Sequence, residues 1–99
     1  MWHKVSKDSD ISEYNPVVVE AGGDKIAVFK SGNHFYAIDN LCAHRGGPLE
    51  DGHVEAGKVT CPWHAWRFDL KTGDCDGIPG VKQKCYKVKI ENGEVWVEA

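Results

Sequence analysis

The 99-residue sequence has no long apolar run and no window of helical periodicity. The first absence excludes a membrane-spanning helix, which needs roughly 20 consecutive apolar residues. The second turns expectation away from a helical fold. A secretory leader needs an apolar stretch behind a basic start, and Met1-Trp2-His3-Lys4-Val5-Ser6-Lys7-Asp8 offers none. A basic excess is also missing, since twelve Lys and Arg face fifteen Asp and Glu, for a net charge of −3. Nucleic-acid binders usually carry a basic face, so no nucleic acid is expected as partner. The late group Lys82, Lys84, Lys87 and Lys89 reads as a solvated strand face. Repeats, low-complexity segments and linkers are absent. The expectation is one domain over residues 1–99, soluble and cytoplasmic, with no membrane partner.

What the sequence does hold is strand signal. Hydrophobic residues make up 41% of it, with four Trp, three Tyr and three Phe to bury, which argues against disorder. Residues 16–20 form a β-branched run ended by Gly22-Gly23. Residues 25–30 and 34–38 flank Ser31-Gly32-Asn33 as a hairpin. Residues 85–90 alternate, with Tyr86, Val88 and Ile90 on one face, and Glu91-Asn92-Gly93 turns the chain into a last strand over 94–98. Frequent Gly-rich turns favour an all-β fold, an antiparallel sandwich or barrel.

Chemistry concentrates in two loops. The first reads Cys42-Ala43-His44-Arg45-Gly46-Gly47-Pro48-Leu49 and the second Cys61-Pro62-Trp63-His64-Ala65-Trp66. Together they give C-x-H, sixteen intervening residues, then C-x-x-H. Each loop supplies one thiolate and one imidazole, so their meeting would make a four-ligand site of soft sulfur and borderline nitrogen. Zinc accepts such ligands, but its usual spacings pair Cys with Cys and His with His. An iron–sulfur cluster is the competing reading. A third loop, Asp74 to Gly80, is rich in Gly and Pro and is a candidate to close over the other two.

The paired motif resembles the signature of Rieske proteins. The stretch Cys61-Pro62-Trp63-His64-Ala65-Trp66-Arg67-Phe68-Asp69 is similar to the soluble ferredoxin branch of that family, and the likeness continues through Thr72-Gly73 and the Asn92-Gly93 hairpin. The resemblance implies a compact all-β domain whose small subdomain, approximately residues 41–80, carries one [2Fe–2S] cluster. It implies Cys42 and Cys61 as ligands of one iron and His44 and His64 as ligands of the other. Two neutral imidazoles in place of two thiolates raise the reduction potential into the range of roughly −150 to +300 mV. In the branch found in respiratory cytochrome bc complexes, a disulfide links the two loops from positions held here by Gly47 and Trp63, so that bridge cannot form. The Ser and Tyr of the high-potential branch are replaced by Trp66 and Phe68. Fewer donors to the sulfurs place the expected potential at the low end, about −150 mV. Ala65 stands where Gly is usual, and Pro79 matches a proline loop that covers the cluster.

The function implied is one-electron transfer, not catalysis. A flavoprotein reductase is the expected donor and an oxygenase-type protein the expected acceptor, docking near His44, His64 and Trp63. Two alternatives stand beside it: a fixed small subunit of a nitrite reductase, and a redox-sensing interaction module. A complete oxygenase would need a second iron domain, for which the chain has no room. Cys75 and Cys85 are expected as free thiols, His34 as a hairpin surface residue and His53 as a loop residue.

Overall fold

The computed structural model describes residues 1–13, 15–42, 46–63 and 65–99. Among them the strands are β1 (Trp2–Lys7), β2 (Val17–Ala21), β3 (Asp24–Ser31), β4 (His34–Asp39), β5 (His53–Glu55), β6 (Lys58–Thr60), β7 (Arg67–Asp69), β8 (Cys85–Tyr86), β9 (Val88–Glu91) and β10 (Glu94–Glu98). Three-residue 3₁₀ turns follow β1, at Asp8–Asp10, and precede β5, at Leu49–Asp51. No described helix is long and apolar enough to cross a membrane.

The strands form three antiparallel sheets, ordered β1-β10-β9, β2-β3-β4-β8 and β5-β6-β7. The second sheet divides the core. Successive side chains on a strand point to opposite faces, so Ala27 and Phe29 of β3 and Ile38 of β4 face one cluster with Leu49, Val59, Phe68 and Leu70. Ile26, Val28 and Ala37 face the other cluster, with Ile11, Val95 and Val97. That double burial explains why residues 26–29 are continuously apolar where a half-exposed strand would alternate. Fully burying a side chain such as Phe68 or Ile38 contributes roughly 1.5–3 kcal/mol.

The all-β expectation holds, and the strands read over 16–20, 25–30, 34–38 and 94–98 lie within a residue or two of β2, β3, β4 and β10. The Asn92-Gly93 hairpin is a two-residue turn with positive φ at both positions, 54° and 74°, as its type requires. Residues 85–90 depart from expectation. They are not one strand: β8 pairs with β4, β9 pairs with β10, and the chain changes sheets at Lys87. The Lys87 carbonyl accepts from the Glu98 amide at 3.0 Å, which transfers the segment to β10. Tyr86 and Val88 still pack on the same core cluster, but Ile90 is 50% exposed at its rim. His34 is an exposed hairpin residue, as expected, whereas His53 belongs to β5 and not to a loop.

Candidate metal centre

Two loops of matching construction present the cysteines. The Cys42 amide donates to the Gly47 carbonyl at 2.9 Å, and the Cys61 amide donates to the Trp66 carbonyl at 2.7 Å. The two bonds tie residue 42 to residue 47 and residue 61 to residue 66. Gly46, at φ 73°, and Ala65, at φ 58°, supply the left-handed residue that each closure uses.

The first loop is fixed to the second sheet at its base. Leu41 bridges to Pro48, and the Leu49 amide donates to the Asn40 carbonyl at 2.8 Å. The buried Asn40 side chain donates to Glu50 Oε1 at 3.3 Å, and its Oδ1 accepts from the Glu50 amide at 2.8 Å. The buried Gln83 amide group donates to the carbonyls of Asp39, at 2.7 Å, and Leu41, at 2.5 Å. Sequence reasoning passed over Asn40 and Gln83. No motif marks them, because their partners are backbone groups and the Glu50 carboxylate.

Both cysteines are inside, with Cys42 3% and Cys61 1% exposed, in the core cluster shared with Leu49, Val59 and Phe68. Their side chains meet, Cys42 being the side-chain hydrogen-bond partner of Cys61. Burial pushes the Cys61 thiol up and the neighbouring Cys42 adds to the rise, while the Trp63 amide, hydrogen-bonded to Cys61, opposes it. An amide donor at sulfur favours the thiolate. His44 and His64 lie outside the described residues.

The third loop lies against the same core. Ile78 and Val81 pack on the cluster that contains Cys42 and Cys61. The Asp76 amide donates to the Arg67 carbonyl at 2.9 Å and the Cys75 amide to the Val81 carbonyl at 3.1 Å. Lys58 and Arg67 beside Asp76 hold its carboxyl below the usual aspartate value. Cys75 and Cys85 are free thiols, and burial is the main cause pushing both upward. Trp63 and Leu41 are half exposed, at 50% and 51%.

Two adjacent buried thiols, one of them hydrogen-bonded by an amide, make a soft donor pair suited to iron–sulfur chemistry or zinc. The comparison with known proteins separates the two. The Rieske [2Fe–2S] domain profile matches residues 1–91. The chain belongs to the Rieske [2Fe–2S] domain family.

A Rieske domain carries one [2Fe–2S] cluster per chain, and the meeting of Cys42 with Cys61 fits that group. This Rieske chain is 38% identical, over 98% of its own length and 94% of the other, to the ferredoxin component of the naphthalene 1,2-dioxygenase/salicylate 5-hydroxylase systems of a Ralstonia species. It superposes on the ferredoxin of carbazole 1,9a-dioxygenase from Nocardioides aromaticivorans with a TM-score of 0.89, at 30% identity, covering 98% of this chain and 96% of that one. A further structure, of the complex of reduced oxygenase and oxidized ferredoxin in carbazole 1,9a-dioxygenase, matches with a TM-score of 0.89, at 31% identity, over 97% of this chain and 91% of that one. The chain also matches human apoptosis-inducing factor 3 at 39% identity, but spans only 14% of that protein's length. In this Rieske core Phe68 is fully buried, so position 68 brings apolar packing and no hydrogen-bond donor.

Proposed function

We propose that this Rieske chain is a one-electron carrier, not an enzyme, in which Cys42 and Cys61 bind one iron and His44 and His64 the other. Residues 41–80 form its cluster-binding part. The observation that carries the reading is the pair of buried, mutually contacting thiols at Cys42 and Cys61. The cluster, when bound, accepts and releases a single electron. The chain's own residues hold it and insulate it. Asn40 and Gln83 fix the loop that bears Cys42, the Trp63 amide supports the Cys61 thiolate, and Phe68, Leu49 and Val59 keep water from the sulfurs.

The acceptor is an oxygenase, as the dioxygenase ferredoxins and the ferredoxin–oxygenase complex among its relatives favour, and the donor is a flavoprotein reductase. The acceptor docks over His44, His64 and Trp63, where the half-exposed indole offers an aromatic anchor of the kind enriched at interface hot spots. The protein works in the cytoplasm. With neutral His ligands but few side-chain donors, its potential lies near −150 mV, roughly the bottom of the Rieske range. Potentiometry combined with reduction by a flavoprotein reductase and reoxidation by a ring-hydroxylating oxygenase tests this. A low potential with turnover-rate electron delivery is expected, and a clearly positive potential or a cluster inert towards every oxygenase would refute it.

A further inference from the structure

Gly47 is a glycine because space is short. Most glycines of the chain have positive φ, but Gly47 and Gly52 do not, so Gly47 has no need of glycine's backbone freedom. A Cβ on Gly47 would stand 3.0 Å from Cys61 Sγ and 3.0 Å from both Cγ and Cδ2 of the Trp63 indole. The bare Cα of the first loop is therefore the seat of two side chains from the second. Gly47 also accepts the Cys42 amide at 2.9 Å. One buried residue thus bonds the backbone of one proposed ligand and supports the sulfur of the other. Trp63, half exposed, presents one side of its ring to water and rests on Gly47 with the other.

We propose that Gly47 and Trp63 form a clasp between the two ligand loops, with Gly47 a positioning residue and the Trp63 indole a cover that keeps water from the Cys61 sulfur. The proposal rests on the cluster reading above. Solvent access and hydrogen bonds at sulfur set both the potential and the lifetime of an iron–sulfur centre. Water reaching Cys61 stabilises the extra negative charge of the reduced state, so opening the clasp raises the potential. It also exposes the cluster to hydrolytic loss. A side chain at 47 opens the clasp from one side, and removal of the indole opens it from the other.

The test is a double-mutant cycle on the cluster-loaded protein with Gly47→Ala, Trp63→Ala and both together, reading the reduction potential and the rate at which visible cluster absorption is lost. Each single variant is expected to raise the potential and to speed cluster loss about fivefold or more. The double variant should fall short of the product of the two, because a methyl group at position 47 then meets Cys61 Sγ alone and has no ring left to displace. Trp63→Phe should restore most of the parent behaviour. If Gly47→Ala does not assemble, the Trp63→Ala and Trp63→Phe pair decides alone: an unchanged potential and loss rate in Trp63→Ala overturn the clasp. Fully multiplicative effects in the cycle overturn it equally. A parent protein without iron and labile sulfide would defeat the cluster reading itself, whereas a normal parent with independent variants would defeat only the clasp.

Discussion

Lys58 Nζ lies 2.8 and 2.9 Å from the two carboxylate oxygens of Asp76. The pair joins β6 to the Pro-containing loop, and Arg67 Nη2 on β7 adds a third bond to Asp76 at 3.0 Å. The folded chain therefore holds the Asp76 proton less tightly than the unfolded chain does. The resulting stability is present above the ordinary aspartate value of 3.8 and is lost as pH falls through the lower folded value. Asp76→Asn is expected to lower the urea midpoint at neutral pH, with the difference fading below pH 3.8 and at high salt. Urea unfolding across acidic pH and two ionic strengths checks it.

Tyr86 shows the opposite sign. Its hydroxyl donates to Asp24 Oδ2 at 3.0 Å, linking β8 to the start of β3. Burial and the neighbouring carboxylate hold the phenol well above its ordinary value of 10. As pH rises past 10, the unfolded chain gives up this proton first, so stability falls. Tyr86→Phe should cost about 0.5–1.5 kcal/mol at neutral pH and should flatten the alkaline decline. Thermal melts from mildly alkaline pH upwards compare the two.

Gln83→Leu strips the donor from the carbonyls of Asp39 and Leu41. Leaving buried acceptors without it costs about 1–3 kcal/mol. Because those carbonyls anchor the loop leading to Cys42, the variant is also expected to hold less iron per chain. Unfolding measurements and iron analysis on the same preparation read both effects.

Ala65 has φ 58° and Ala56 has φ 52°, a left-handed backbone that costs a residue with a Cβ roughly 1–2 kcal/mol. Glycine relieves that strain but adds entropy to the unfolded chain, leaving a net gain of up to about 1 kcal/mol at either position. Ala65→Gly should also slow cluster loss, whereas Ala56→Gly, in the β5–β6 turn, should leave it unchanged. Thermal unfolding and cluster-loss kinetics distinguish them.

Much of this architecture was legible because it rests on local rules. The paired turns Gly22-Gly23 and Asn92-Gly93 and the β-branched runs between them specify hairpins by backbone conformation and periodicity alone. The alternation of Cys with His in two loops is equally local. Strands β5, β6 and β7 are three residues each, too short for periodicity to register, and β1 mixes Trp, His, Lys and Ser. The change of sheet at Lys87 depends on a bond to Glu98 that no neighbouring residue announces. The same holds for the seat of Trp63 on Gly47 and for the reach of Gln83 to Asp39, contacts between segments far apart in sequence. Local patterns in the sequence therefore point to the proposed ligand side chains, and the structure shows which distant residues support the loops that bear them.

The central claim is mixed ligation, one iron held by Cys42 and Cys61 and the other by His44 and His64. Low-temperature pulsed EPR of the reduced protein carrying ¹⁵N-labelled histidine tests it most directly. Coupling of the unpaired electron to two imidazole nitrogens is expected, reduced to one in His44→Cys or His64→Cys variants that still assemble, with a lowered potential in each. A reduced cluster without histidine coupling, or a preparation holding zinc and no labile sulfide, would contradict it.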